Sequence, residues 1–118
     1  MLKKENRLKR NEDFRLVYRE GKFAVSRPVV VYYRRRNQDT TLRAGIVVSK
    51  KIGNSYIRSR HKRLLREALR PLIPRIKPGH DVVLVARKAI VGEDQANIRS
   101  TLENLLQKAR LTNGRRAR

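Results

Sequence analysis

Cysteine does not occur in this chain, so neither a disulfide framework nor a thiolate metal site is available to it. Tryptophan is also missing, and there are only two phenylalanines. No apolar run approaches the ~20 residues that a transmembrane helix requires. The opening residues, Met1-Leu2-Lys3-Lys4-Glu5-Asn6-Arg7, lead into no apolar h-region. A secretory signal is therefore not expected, and the chain reads as cytoplasmic. Negative charge is scarce as well: 10 Asp plus Glu stand against 31 Lys plus Arg, a formal net charge of +21. That excess calls for an anionic partner, usually nucleic acid. Binding to a membrane surface would need a large apolar insertion face or a lipidation signal, and neither is present.

The acids are too few and too scattered for protein-based nuclease chemistry, which needs paired carboxylates for metal ions or a histidine with a base partner. Glu12-Asp13 and Glu93-Asp94 are the exceptions, and each pair opens a helix, where the dipole accounts for it. His61 falls on an apolar helix arc and His80 in a turn. There is no phosphate-cradling glycine loop, zinc spacing or nucleophile constellation. The sequence therefore predicts no catalytic residue and no protein-held metal, and a function that consists of binding.

What is present is a basic helix. Residues 53–70 follow a strand-like run, 46–52, and at about 100° per residue Ile57, His61, Leu64, Leu65, Ala68, Leu69 and Leu72 share one arc. Lys62, Arg63, Arg66 and Arg70 share the opposite arc. Asn54 or Ser55 caps the start, and Pro71 and Pro74 mark the end. A face stabilised for its own sake would alternate signs, yet Glu67 is the only acid between Arg58 and Arg70. Repulsion among the rest would be relieved by a polyanion.

At 118 residues the chain reads as a single domain, 1–118. Residues 1–10 read as a basic, extended arm. Asn11 is expected to cap a short helix bearing Phe14, Val17 and Tyr18, ended by Gly21; from spacing alone, Phe14 and Tyr18 read as its buried stripe. Residues 26–36 and 42–50 read as two strands joined by a turn at 37–40, paired as an antiparallel hairpin. After a turn at 76–81, residues 82–86 are apolar throughout, as expected of an inner strand. The strand, helix, strand order predicts parallel pairing, usually with right-handed crossover. Glu93 and Asp94 open a last helix with an apolar stripe of Ile98, Leu102, Leu105, Leu106 and Ala109. Residues 112–118 form a basic tail expected to be disordered. The class is α+β.

Three separated stretches also resemble one family. Lys50-Lys51-Ile52-Gly53-Asn54 with Arg58-Ser59-Arg60 and Lys62-Arg63-Leu64-Leu65-Arg66-Glu67-Ala68 is similar to the signature of the protein subunit of bacterial ribonuclease P. Arg7-Leu8-Lys9-Arg10-Asn11-Glu12-Asp13-Phe14 and Asp81-Val82-Val83-Leu84-Val85-Ala86-Arg87-Lys88 match in order and spacing. One departure is Ser59, where the family has asparagine; a hydroxyl lacks the amide's paired donor and acceptor. The resemblance implies a single small domain with a mixed four-stranded sheet, three helices and a rare left-handed βαβ crossover, like the second domain of a ribosomal small-subunit protein. It implies a ribonucleoprotein endoribonuclease in which a catalytic RNA subunit, required for activity, holds the Mg2+ ions and removes the 5′ leader of precursor tRNA. The polypeptide would bind both RNAs, with no membrane and no obligatory protein partner. Contacts to the RNA subunit are implied for Asn54, Arg58, Arg60, Lys62, Arg63 and Arg66, and Arg suits them because its planar fork pairs with phosphate oxygens. Leader contacts are implied for Phe14, Tyr18 and Tyr32, with Lys50, Lys51 and Arg87 along a phosphate-facing edge; this overrides the stripe reading of Phe14 and Tyr18. Tyr32 and Tyr33 alternate across a strand, so at most one of them lines that groove. The competing reading is a structural RNA-binding protein of ribosomal type with no role in cleavage. A DNA-binding helix-turn-helix is disfavoured, because a strand rather than a helix and short turn precedes the basic helix.

Overall fold

The strand with apolar residues on both faces takes an interior place in the sheet. In the computed structural model, which describes residues 4–36 and 41–112, the order of elements is α1 (Asn11–Glu20), β1 (Lys22–Val25), β2 (Val29–Arg35), β3 (Arg43–Val47), α2 (Ser55–Leu69), β4 (His80–Ala86) and α3 (Gln95–Lys108). One four-stranded sheet runs β1-β2-β4-β3. β4 is antiparallel to β2 and parallel to β3, as its helical crossover requires.

The expected hairpin between the second and third strands is therefore not formed. β4 lies between them, and the hairpin is instead β1 with β2, joined through a turn in which Ser26 and Val29 share hydrogen bonds. Two effects favour the insertion. β4 buries Val82, Val83 and Leu84 completely, which an edge position would not allow. It also puts Asp81 in register with Arg34 on one side and Arg43 on the other, where directly paired β2 and β3 would bring like charges together. The Asp81 carboxylate is 1% exposed and accepts from Arg43 Nε at 2.9 Å and Nη2 at 2.8 Å, and also from Arg36. Arg43 further reaches Asp13 of α1 at 3.4 Å. The turn expected at 37–40 lies outside the described residues.

One sheet face carries the main core. Val29 and Val31 of β2, Val82 and Leu84 of β4, and Ala44 of β3 pack with Leu65, Ala68 and Leu69 of α2 and Ile98, Leu102 and Leu106 of α3. The apolar arc of α2 thus faces inward, with His61 7% exposed and Nδ1 2.8 Å from the Ile57 carbonyl, which can only accept. Asn54 caps α2 by accepting from the Ile57 amide at 3.0 Å, and past Leu69 the chain tightens into a 3-10 turn, Arg70–Arg75, holding both prolines. Asp94 caps α3 in the same way.

The other face carries a smaller cluster of Leu8, Val17 and Val83, flanked by Phe14, Tyr32, Val47 and Val85. One further expectation changes here. Asn11 is the first residue of α1 rather than its cap; Arg10 holds that place without a side-chain bond. From residue 4 the arm runs along the outer edge of β3, which offers unpaired backbone groups: Asn6 bonds the Leu42 carbonyl, Arg7 bridges Ala44, and Leu8 is 6% exposed. At the other end Thr112, the first residue of the expected tail, is buried and bridges Ile76; residues 113–118 lie outside the described residues. Gly21 ends α1 with extended backbone, and its role is close approach: a Cβ there would lie 2.4 Å from the Tyr33 carbonyl oxygen.

Asp81→Ala strips a buried carboxylate from two guanidinium groups, a loss on the order of 3 kcal/mol. Urea unfolding should show a lower midpoint with an unchanged slope; an unaltered midpoint would mean the ion cluster contributes nothing to folding.

Candidate nucleic-acid interface

Strand alternation places two rows of side chains on the face that α1 only partly covers. Register puts Phe23, Tyr32, Val83 and Gly45 in one row and Val25, Val30, Val85 and Val47 in the next. α1 packs on this face through fully buried Val17, so Phe14 and Tyr18, three residues before and one after it, flank that contact. The Phe14 ring lies over Gly45, where a Cβ would come within 2.5 Å of it. Glycine at this position makes room for the aromatic. Tyr18 and Tyr32 meet edge to face at 5.0 Å, and Phe23 tilts against Tyr32 at 5.8 Å. Phe23 is 62% exposed and Tyr18 43%, which a purely structural cluster would avoid. Burial, and the neighbouring Tyr32, push the Tyr18 phenol above its ordinary value near 10. Tyr33 belongs to the core on the opposite face.

Cationic groups border these rows. Beyond Val47, Lys50 and Lys51 are exposed in the turn that follows β3. Beyond Val85, Arg87 is exposed, although its guanidinium donates to the Ser26 carbonyl at 3.0 Å and so also ties the β1–β2 turn to β4. On the other side Phe14 opens into a cleft of about 370 Å3, lined by Arg7, Leu8, Lys9, Ala44, Gly45, Ile46 and by Lys62 and Arg66 of α2. The basic helix and the aromatic groove are thus adjoining surfaces with a shared rim. Among the described residues, no group of three or more acids and histidines is placed to hold a metal ion.

A family model described as Ribonuclease P matches residues 2–110. The chain belongs to the ribonuclease P protein family. It is 42% identical over 110 residues to the ribonuclease P protein component of Exiguobacterium sp., covering 93% of this chain and 95% of that one. It is 44% identical over 109 residues to the Clostridium acetobutylicum component, covering 92% of each. Among solved structures, the Staphylococcus aureus RNase P protein superposes with a TM-score of 0.85 at 33% identity, over 93% of this chain and all of that one. The Thermotoga maritima protein superposes with a TM-score of 0.77 at 35% identity, over 86% and 96%.

Within this ribonuclease P protein fold, the six residues assigned to the basic helix divide by what already engages them. Asn54 uses its side-chain oxygen as the α2 cap, and Arg58 Nε donates to the Gly53 carbonyl at 3.3 Å, so both help build the helix start. Arg60 and Arg63 are exposed, while Lys62 and Arg66 are half-buried between the outer helix face and the Phe14 cleft. The aromatic assignment brings Phe14, Tyr18 and Tyr32 to one face. It omits Phe23, because β1 is a four-residue edge strand too short to register as a pattern. The signal that could have found it is alternation: Phe23 and Val25 face outward around buried Ala24.

In a spectrophotometric titration the Tyr18 phenol should ionise late, a component that Tyr18→Phe should remove. Because the folded state raises this acid's ionisation point, stability is full below pH ~10 and falls as pH climbs through the raised value. A variant that titrates like the parent would place Tyr18 in water.

Proposed function

We propose that this protein is the polypeptide of a ribonuclease P holoenzyme, binding the catalytic RNA subunit with α2 and the single-stranded 5′ leader of precursor tRNA on the open sheet face. The observation that carries the reading is the pairing of a predominantly basic helix face with an aromatic, half-exposed sheet face along a shared rim of Lys62 and Arg66. Aromatic faces take bases of any identity at ~1–3 kcal/mol each, which suits a subunit that meets the leaders of many tRNAs. Phe14, Tyr18, Tyr32 and Phe23 supply such faces, and Lys50, Lys51 and Arg87 lie where the backbone of a strand crossing the Val25 to Val47 row would leave the sheet.

Cleavage in this reading belongs to the RNA, which holds the Mg2+ ions in the cytoplasm where precursor tRNA is made. The protein's part is electrostatic. Two polyanions must be held together, and arginine and lysine between them relieve phosphate repulsion and lower the bulk Mg2+ needed to do so.

Added to a bacterial ribonuclease P RNA, the protein should lower the Mg2+ required for cleavage of precursor tRNA and should cleave nothing alone. An RNA whose Mg2+ requirement does not move would favour a structural, ribosomal-type role. In the holoenzyme, Phe14→Ala or Phe23→Ala should weaken leader-bearing substrate roughly five- to a hundredfold and leave mature tRNA unchanged. Equal losses for both tRNA forms would assign those rings to folding.

A further inference from the structure

The outer face of α2 carries a second depression, of about 610 Å3, lined by Tyr56, Ser59, Arg60, Lys62, Arg63 and Arg66. Helical spacing explains its shape. Ser59 stands one turn from Tyr56 on one side and from Lys62 and Arg63 on the other, so its short side chain is a floor between longer walls. Every charged group in the lining is positive. Tyr56 is the most exposed ring among the described residues, at 73%, and no second ring or hydrogen bond holds it there. A surface position in the first turn of a helix gains nothing from an aromatic left in water, where a charged or small helix former would serve better. The volume lies within the range of sites for small organic groups.

We propose that this depression receives one unpaired nucleotide of the RNA subunit, its base stacked on Tyr56, its edge hydrogen-bonded to the Ser59 hydroxyl and its flanking phosphates on Arg60 and Arg63. A base inside a duplex hides both faces in the stack, so a flat ring at the wall of the site selects a base that is splayed out. Guanidinium groups alone would hold a duplex backbone equally well and would leave Tyr56 without use. Ser59 has a positive role in this arrangement: it is small enough to keep the floor open and still offers a donor and an acceptor. The inference rests on the assignment of α2 to the RNA subunit.

The test is equilibrium binding of the intact protein and its variants to a bacterial ribonuclease P RNA across a range of salt concentrations. Tyr56→Ala should lose roughly five- to a hundredfold in affinity with no change in the slope of log affinity against log salt, since stacking releases no counterions. Tyr56→Phe should bind within about twofold of the parent. Ser59→Leu, which fills the floor without adding charge, should lose affinity as Tyr56→Ala does. Arg63→Ala should lose affinity with a slope shallower by about 0.7 to 0.9. Tyr56 is exposed, so its variants should melt with the parent protein. Parent-like binding by Tyr56→Ala beside a weakened Arg63→Ala overturns the nucleotide site and leaves the assignment of α2 standing. A slope change in Tyr56→Ala equal to that of Arg63→Ala also overturns it. Full affinity in both variants overturns the assignment of α2 itself.

Discussion

The Asp81 carboxylate, nearly sealed from solvent and gripped by Arg43 and Arg36, is the interaction on which the arrangement of the sheet depends. In a chain with a threefold excess of basic residues, adjoining strands risk setting arginine beside arginine. Placing the acid-bearing β4 between β2 and β3 resolves that conflict in the same register that buries the Val82 to Leu84 run. Arg43 then extends to Asp13, so the cluster also ties α1, one wall of the groove, to the sheet it flanks. A buried ion pair is weak evidence for net stability, because desolvation offsets much of the attraction. Its clearer consequence is specificity of strand order, since other pairings would leave a buried charge uncompensated.

The sheet uses its two faces differently. The face toward α2 and α3 is closed by branched aliphatic side chains and carries most of the core. The face toward α1 is closed only in its middle, where Leu8, Val17 and Val83 meet. A ten-residue helix is too short to cover four strands, and the aromatic and valine rows around it stay partly in water. A half-covered sheet of this kind costs hydrophobic stabilisation that a longer helix would recover. Uncovered rings are surfaces on which a base can stack, so the shortness of α1 and the exposure of these rings are two views of one feature.

The basic helix is also divided by its geometry. Its start is devoted to construction, with Asn54 as cap and Arg58 on the Gly53 carbonyl. Further along, Lys62 and Arg66 border the Phe14 cleft and the outer depression at once, while Arg60 and Arg63 line only the outer one. One RNA bound on each side would therefore share cations, which couples the two binding events electrostatically without any movement of the protein.

Much of this was legible in the residues themselves. Period-3.6 arcs located all three helices, because each has an apolar stripe that must be buried; the uninterrupted apolarity of Val82 to Ala86 marked an inner strand; and the charge imbalance on α2 marked its outer face. The start of α2 was readable to within Asn54 or Ser55 and that of α3 to within Glu93 or Asp94, because a side-chain acceptor before a helix can bond its free amides; which residue caps is set by the backbone, as Asn11, inside α1, shows. Strand order was not readable. The sequence shows that the strands of residues 26–36 and 42–50 are neighbours in the chain, but only the competition for buried edges and for the Asp81 charge decides that β4 separates them. Phe23 stayed hidden because a four-residue edge strand carries too few alternations to stand out, and the exposure of Tyr18 because spacing places it in the buried stripe without saying how far α1 covers the sheet. The residues alone determined a single helix with one apolar and one cationic face. Tertiary packing alone decided which rings remain in water and that Lys62 and Arg66 serve two surfaces, since those depend on how far one element covers another.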